Sequence, residues 1–247
     1  MIDLKTVQPL DLDRFLARSI RNRIHLTGLE VEGGWTRNPR GYRVQRDGSL
    51  DRWHQPVDVS PEMKGEIASP PTSLKDIQAW LRLAYPTYVD PNYCGLHVHM
   101  SFKTAFAYQR LMCPEYPATV VEYVKRWATT NNLPKTHPMW ERLAGNCRYC
   151  RLVFHADEQI YATAKDFNQE RRGHRYTSVN YCWNRTRTLE HRLLTMMDTV
   201  DLAWDAVNTL YAVTNAFLVA TAKREETYSA TFETAEERTI IARQVIV

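Results

Sequence analysis

Residues 94–102 read Cys-Gly-Leu-His-Val-His-Met-Ser-Phe, and this stretch gives the clearest strand pattern in the chain. Apolar side chains alternate there with His97 and His99, which is the pattern of a β-strand with one buried face. The two imidazoles therefore share the other face of the strand. Because buried imidazoles need polar partners, we expect them to ligate a metal, to bind phosphate or to hydrogen-bond to carboxylates.

A pair of carboxylates lies on a predicted strand nearer the N-terminus, residues 24–32. Glu30 and Glu32 are two positions apart, so they project from one face about 7 Å from each other. Such a pair can hold a hard divalent cation such as Mg²⁺. The alternative is a solvent-facing strand edge, where alternating polar residues are usual.

Two shorter strands are predicted between these two. Residues 64–69 contain Glu66, which would add a third carboxylate from a neighbouring strand, although a solvated strand residue fits the same pattern. Residues 42–45 form the other strand and run into the turn sequence Asp-Gly-Ser at 47–49. The role of Asp47 stays open at this point.

Further along the chain, residues 175–181 and 186–194 are predicted to pair as strands around a turn at 183–184. On the second of these strands, Glu190 and Arg192 share a face. Glu190 is a candidate metal ligand, and Arg192 is a candidate fork for phosphate or carboxylate. A cross-strand ladder of ion pairs is the alternative interpretation.

Helices are predicted where apolar residues recur with helical spacing. They cover residues 8–20, a segment capped by Ser73, then 104–113, 118–131, 137–144, 157–168, 199–223 and 233–247. This order of strands and helices predicts a single α+β domain over residues 1–247 with a mainly antiparallel sheet. A helical insertion near 104–170 and C-terminal helices over 199–247 complete the predicted organisation.

Composition and charge narrow the class of protein. The 247 residues carry a formal charge of +4 with acids and bases interspersed, which excludes a polybasic tail. The first residues lack the pattern of a signal peptide, and no apolar run approaches the ~20 residues of a membrane span. Five irregularly spaced cysteines argue against a disulfide framework. We therefore expect a soluble, cytoplasmic protein with no membrane partner.

One CxxC motif, Cys147-Arg-Tyr-Cys150, has Cys113 upstream and His155 downstream. Together they could form a structural zinc site. The alternative is reduced cysteines packed within the helical insertion. The sequence also lacks P-loop, dinucleotide-binding and nucleophile-elbow motifs, which disfavours those classes of enzyme.

The order and spacing of the strand motifs resemble the amidoligase family, one of the glutamine-synthetase-like and glutamate–cysteine-ligase-like carboxylate–amine ligases. The stretches that carry the resemblance are Gly28-Leu-Glu-Val-Glu, Asp47-Gly-Ser-Leu, Gly65-Glu-Ile-Ala-Ser-Pro, Cys94-Gly-Leu-His-Val-His, Arg175-Tyr up to Asn180, and Thr188-Leu-Glu-His-Arg. The resemblance spans about residues 24–195 and leaves most of the 104–170 segment unaccounted for. Family members occur in phages and fungi, so a phage-encoded protein acting in the host cytoplasm is one expectation.

The resemblance implies a curved antiparallel sheet of the glutamine-synthetase-like ligase type, whose concave face holds ATP and divalent metal. The residues that resemble metal ligands are Glu30, Glu32, Glu66, Glu190 and His97. Those that resemble nucleotide or phosphate contacts are His97, His99, Asn180, Arg175 and Arg192. Within these sets, the resemblance gives catalytic roles to Glu30, Glu66, Arg175 and Arg192.

The implied activity is ATP- and Mg²⁺-dependent formation of an amide or isopeptide bond through an acyl phosphate. A carboxylate is a poor acyl donor, so it is phosphorylated first, and metal ions with arginines suit that phosphoryl transfer. The acid and the amine could be small molecules, peptides or proteins. Two alternatives stay open. One is a metal-dependent amide hydrolase that uses the same His and Glu residues, and the other is a nucleic-acid-binding module built on the arginines of 142–151 and 171–192.

Overall fold

The computed structural model describes residues 1–17, 23–39, 41–103, 105–154, 176–182 and 188–231, with the backbone alone described at 105–106 and 223–231. The strands are β1 (Ile2–Asp3), β2 (Ile24–Gly34), β3 (Lys64–Ala68), β4 (Gly95–Phe102), β5 (Val153–Phe154), β6 (Val179–Cys182) and β7 (Thr188–Thr195). The helices are α1 (Asp13–Leu16), α2 (Leu74–Ala84), α3 (Ala105–Gln109), α4 (Glu115–Thr130), α5 (Met139–Ala144) and α6 (Val200–Thr231). Short 3₁₀ turns occupy Leu4–Thr6, Gly48–Arg52 and Pro61–Met63.

Five of the strands form one antiparallel sheet in the order β3-β2-β4-β7-β6. The short β1 and β5 pair separately, also antiparallel. The prediction of an α+β protein with a mainly antiparallel sheet is therefore confirmed. The sheet is open, with β3 and β6 at its edges, and no curled sheet is found among the described strands.

One face of the sheet is apolar and packs against helices. Its side chains come from every second position of the strands and are buried: Leu29, Val31, Ile67, Leu96, Val98, Met100, Leu189 and Leu193. His191 lies on this face too, and its Nε2 is 3.0 Å from the hydroxyl of Tyr116 on α4. That hydroxyl is also 2.7 Å from Thr214 Oγ1 on α6, so a buried polar network joins the sheet to two helices.

Helix α2 forms as its sequence predicts. The Ser73 side chain accepts the backbone N–H of Asp76 at 3.2 Å, which satisfies one of the unpaired donors at the helix start. Ile77, Trp80 and Leu81 are buried on one side of the helix. Because these positions recur with helical spacing, α2 covers the sheet with a single apolar stripe.

The predicted strand at 42–45 is wrong. Only one bridge forms there, in which the Gln45 and Glu66 backbones exchange hydrogen bonds of 2.8 and 2.9 Å. Asp47 then caps the 3₁₀ turn Gly48–Arg52 through a 2.8 Å bond from Ser49 N–H, which confirms the predicted turn. The chain turns on both sides of the bridge, because Tyr42 N–H bonds back to the Pro39 carbonyl and the 3₁₀ turn begins at Gly48, so the described residues there form no longer ladder.

The predicted helices are mostly confirmed but differ in extent. The 8–20 helix is reduced to α1 among the described residues, and the 118–131 helix begins earlier, at Glu115. The 199–223 helix is present and longer, since α6 reaches Thr231. The helices predicted at 157–168 and 233–247 lie outside the described residues, as does the turn at 183–184. Within the part of the chain that is described, no helix combines the length and the apolar character needed to cross a membrane.

Candidate functional site

The second face of the five-stranded sheet is polar, and cross-strand pairing brings the predicted site residues into one row. Glu66 of β3 lies opposite Glu32, and Glu30 lies opposite His97. On the other side of β4, Glu190 lies opposite His99 and also opposite Asn180 of β6. All five strands therefore contribute to one polar surface. Arg175 lies outside the described residues.

His97 lies at the centre of this surface. Its Nδ1 is 3.2 Å from Glu30 Oε2 and 3.7 Å from Glu190 Oε1, and its Nε2 is 3.8 Å from Glu32 Oε1. The ring is buried. Of the three roles open to this imidazole, the structure shows contact with carboxylates.

Glu30 contacts both imidazoles. His97 Nδ1 is hydrogen-bonded to Glu30 Oε2 at 3.2 Å, and His99 Nε2 lies 3.2 Å from Glu30 Oε1 without the geometry of a hydrogen bond. Burial acts to raise the pKa of Glu30, but the interactions with His97 and His99 outweigh it and hold the pKa well below its usual range. Burial conversely acts to lower the pKa of His99, and its contact with Glu30 together with the charge of Glu190 raises it. Glu30 is thus held as a carboxylate.

Glu32 is buried and depends on a glycine. The backbone N–H of Gly95 donates to Glu32 Oε2 at 2.5 Å. A Cβ at position 95 would lie 2.8 Å from His97 Nε2 and 3.1 Å from Glu32 Oε2, so only glycine leaves room for both side chains. Burial raises the pKa of Glu32, while His97 and the Gly95 N–H act in the opposite direction.

Asp47, whose role the sequence left open, lies beside Glu32 and Glu66. It is brought there by the Gln45–Glu66 bridge, and that bridge depends on Gly65. A Cβ at position 65 would lie 2.0 Å from the carbonyl oxygen of Gln45, a distance no side chain tolerates. The glycine of the Gly-Glu-Ile-Ala-Ser-Pro stretch therefore allows the 44–47 segment to cross β3 closely.

Two groups of side chains on this surface have donor atoms close enough to hold a cation. The first is Glu32, Asp47 and Glu66, and the second is Glu30, His99 and Glu190; within each group the donor atoms lie within 4.8 Å of one another. We name them the Asp47 group and the His99 group. His97 belongs to neither and contacts carboxylates of both.

The donor set of the Asp47 group fits a hard divalent cation. Three carboxylates offer oxygen ligands only, which is the chemistry that Mg²⁺ and Ca²⁺ prefer. Burial, followed by the negative charges of Glu30, Asp47 and Glu32, raises the pKa of Glu66 to about 7. A bound cation would remove this repulsion. The His99 group adds an imidazole, which also suits Mn²⁺ or Zn²⁺.

Arg192 and Asn180 both act on Glu190. A nitrogen of the Arg192 guanidinium donates to Glu190 Oε1, and Asn180 Nδ2 donates to Oε2 at 2.7 Å. Burial acts to raise the pKa of Glu190, and the charges of Arg192, His97 and His99 lower it overall. Glu190 is therefore oriented and ionised, which is what a cation ligand requires.

Arg192 owes its position to a β-bulge. Leu96 pairs with Leu194 and Val98 with His191, so Arg192 and Leu193 together oppose the single residue His97. A bulge of this kind redirects the side chains around it. The alternation of polar and apolar residues along β7 does not reveal this extra residue.

Part of the polar surface, including Glu30, Glu32, Glu66 and His97, forms the floor of a cavity of about 490 Å³. Its lining residues are Glu30, Glu32, Arg46, Asp47, Gly48, Ser49, Glu66, Pro91, Asn92, Tyr93, His97, Pro138, Glu141, Arg142, Cys147, Tyr149, Tyr176 and Arg192. The walls come from segments outside the strand motifs, including α5 and the residues that follow it. The sequence singled out Cys147 for a zinc site and Arg142 for a nucleic-acid surface but did not place them at this cavity, because nothing in a strand pattern specifies which distant segment will cover it.

The CxxC cysteines do not enter either candidate cation group. Cys147 lines the cavity, whereas Cys150 is fully buried and burial raises its pKa to about 12. Cys113 also has its pKa raised to about 12, chiefly by burial. His155 lies outside the described residues, so the structural zinc site at Cys147 and Cys150 stays a prediction.

The chain matches no known family, no curated protein and no solved structure.

Proposed function

We propose that this protein is an ATP- and Mg²⁺-dependent carboxylate–amine ligase of the amidoligase type, which forms an amide or isopeptide bond through an acyl phosphate. One observation carries the proposal. The Asp47 group and the His99 group lie side by side on one face of an antiparallel sheet, with Arg192 at the same cavity. The choice of amide-bond formation follows from the resemblance of the strand motifs to that family.

Carboxylates of the two groups are the residues that would hold Mg²⁺. Bound there, Mg²⁺ would neutralise phosphate charge during phosphoryl transfer. The residues of the chain hold these carboxylates in position. Glu190 is fixed by Arg192 and Asn180, and Glu32 is fixed by the Gly95 N–H, so the ligands sit on rigid strands with little freedom to reorganise.

Basic residues line the same cavity as the acidic side chains. Arg192 offers a planar guanidinium that suits phosphoryl or carboxylate oxygens. The His97 ring lies between the two groups. Its Nδ1 is hydrogen-bonded to Glu30 of the His99 group, and its Nε2 lies 3.8 Å from Glu32 of the Asp47 group. An activated serine or cysteine is unnecessary, because the phosphorylated acid is attacked directly by the amine.

The proposal is tested with purified protein, ATP, Mg²⁺ and a panel of acids and amines, including peptides, with ADP formation as the readout. We expect ADP only when a matching acid and amine are both present, and none from Glu66→Gln. Glu62→Gln, an exposed carboxylate in the 3₁₀ turn before β3, is the matched control. A crystal soaked with ADP and Mg²⁺ in which the nucleotide binds away from Glu30, Glu66 and Glu190 would sink the site assignment.

A metal-dependent amide hydrolase is the second candidate, because two adjacent cation groups also suit activation of water. The two functions differ in their need for ATP. Cleavage of an amide by the metal-loaded protein without ATP, and without any ADP, would favour the hydrolase. The nucleic-acid-binding alternative gains nothing from the cavity, whose acidic floor would repel a polyanion.

We place the activity in the cytoplasm, that of the host if the protein is phage-encoded. The substrates we propose are small-molecule, peptide or protein acids and amines.

A further inference from the structure

Arg142 is a cavity residue that none of the strand motifs includes. It lies on α5, and its side chain is buried among the wall residues. Its Nη1 donates to two backbone carbonyls of β7, that of Arg192 at 2.8 Å and that of Leu194 at 2.7 Å. The guanidinium is therefore held at one edge of the sheet by two hydrogen bonds.

The two carbonyls need this donor because strand β6 ends beside them. β6 pairs with β7 only over residues 188–191, and the last contact is the 3.0 Å bond from Arg192 N–H to the carbonyl of Ser178. Beyond that point, among the described residues, the carbonyls of Arg192 and Leu194 have the Arg142 side chain as their donor. Arg142 thus replaces a missing strand at the bulge that positions Arg192.

Only one of the three guanidinium nitrogens of Arg142 is used in this way. Within the described part of the chain, its Nε and Nη2 make no hydrogen bond. On the same wall, Arg192 donates to Glu190, while its Nε is buried with no partner in the described residues. Arg142 and Arg192 therefore both have guanidinium N–H groups without a hydrogen-bond partner among the described residues, and both line the same cavity.

Arg46 also lines the cavity, but unlike Arg142 it lies on the protein surface. Its side chain is 82% exposed and it pairs with Asp51 at 3.4 Å on the protein surface. An exposed arginine loses conformational entropy when it orders on a ligand. Arg142 has already lost that freedom, because the fold holds it on the two carbonyls.

We propose that Arg142 and Arg192 form an oxyanion-binding subsite on the cavity wall, adjacent to the Asp47 and His99 groups. A guanidinium presents N–H donors in a fixed fork that matches the oxygens of a phosphoryl or carboxylate group. Desolvation within the cavity strengthens such charge-assisted bonds. Cations bound by the neighbouring carboxylates would remove the repulsion between that floor and an anionic ligand.

The oxyanion has two possible sources, a phosphoryl group of the nucleotide or the carboxylate of the acid substrate. This assignment rests on the proposed function, but the subsite itself does not require turnover. Binding of simple anions therefore tests it separately.

The decisive variant is Arg142→Lys. A lysine ammonium can still donate to the two β7 carbonyls, but it cannot also offer the fork to a ligand. Arg126→Lys, an exposed arginine of α4 outside the cavity, is the matched control. Calorimetric titrations with pyrophosphate and with succinate, each in excess Mg²⁺, give the affinities of the wild type and both variants.

We expect Arg142→Lys to remain folded and to lose about tenfold or more in affinity for one of the anions, with Arg126→Lys unchanged. Loss of pyrophosphate affinity identifies a phosphoryl subsite, and loss of succinate affinity identifies a substrate-carboxylate subsite. Equal affinities of wild type and Arg142→Lys for both anions overturn the inference, as does the failure of wild type to bind either.

A crystal structure of the wild type with pyrophosphate and Mg²⁺ keeps the inference testable even if Arg142→Lys fails to fold. The anion should lie within hydrogen-bonding distance of Arg142, and an anion bound only elsewhere contradicts the subsite. Failure of the proposed function would be seen in a different measurement, in which Glu66→Gln binds ADP and Mg²⁺ as tightly as the wild type does. The anion titrations of Arg142→Lys test the subsite in that case too.

Discussion

His97 lies directly opposite Glu30 across the β2–β4 ladder, with its Nδ1 3.2 Å from Glu30 Oε2. The same ring lies within 4 Å of carboxylate oxygens of Glu32 and Glu190. One imidazole thus connects the two groups of acidic side chains that could hold cations. Removing it would take a hydrogen-bond partner from Glu30 and would leave Glu30, Glu32 and Glu190 facing one another without the ring between them.

His97→Ala is therefore expected to destabilise the protein by about 2 kcal/mol, since a buried ionised group loses a partner. His25→Ala is the matched control, because His25 is an exposed residue of the same strand, β2, and should change stability by less than about 0.5 kcal/mol. Urea unfolding measured in the presence of EDTA checks both values. Equal losses for the two variants would show that His97 does not hold the carboxylates together.

The contribution of Glu66 to the stability of the metal-free protein should fall as the pH rises from about 4.5 to about 7. Burial and neighbouring carboxylates raise the pKa of Glu66 to about 7 in the folded protein, against an ordinary value of 4.5. Over that interval the folded state keeps a proton that the unfolded state has released, so the free energy of unfolding decreases with pH. Glu66→Gln lacks this contribution, so the wild type should lose stability relative to Glu66→Gln as the pH rises. Unfolding curves at pH 5 and pH 7.5 test this, and identical slopes for the two proteins would contradict it.

Affinity for Mg²⁺ should increase between pH 6 and pH 8. The Asp47 group binds a cation with Glu66 ionised, so binding must displace the proton that the raised pKa retains. Glu66→Gln should bind more weakly and lose the part of the pH dependence due to Glu66, whereas Glu62→Gln should match the wild type. Calorimetry in buffers of different ionisation enthalpy counts the released protons. A proton count near zero at pH 6.5 would argue against Glu66 as a ligand.

Gly65→Ala should disrupt the Asp47 group and spare the His99 group. The added Cβ would lie 2.0 Å from Gln45 O, so the 44–47 segment must move away from β3 and take Asp47 with it. We expect a loss of about 1–3 kcal/mol in stability and the loss of one of two bound cations. Gly28→Ala is the control, because its Cβ would make ordinary contacts of 3.7 Å. Thermal unfolding and Mn²⁺ titration give the two readouts, and two retained cations would exclude Asp47 as a ligand.

Tyr116→Phe should separate stability from binding. The Tyr116 hydroxyl contacts His191 and Thr214 on the apolar side of the sheet. Its removal leaves the buried His191 Nε2 without this partner, whereas Thr214 keeps its bond to the Leu210 carbonyl. A cost of about 1–2 kcal/mol is expected, with unchanged Mg²⁺ affinity. If Tyr116→Phe is fully folded and yet binds Mg²⁺ with a different affinity from the wild type, the two faces of β7 are coupled.

The strand pattern predicted which site residues share a face but not how the strands pair. Period-two alternation places Glu30 with Glu32 and His97 with His99, and both pairs lie as predicted. The partners of each residue depend on register, and a shift of one residue would invert every contact. The wrong strand at 42–45 has the same origin. Its residues suit a strand, yet the Asp47 cap turns the chain away after one bridge.

The coarse class, the Ser73 helix cap and the polar face of the sheet could be predicted from the sequence, because these follow from local spacing and from side-chain chemistry. Three features are visible only in the folded chain: Asp47 lies beside Glu66, a bulge directs Arg192, and Arg142 donates to the β7 carbonyls that β6 leaves unpaired. Each of these depends on contact between segments far apart in the chain. Local propensity carries no information on such contacts, since packing and backbone hydrogen-bond satisfaction select them when the whole chain folds.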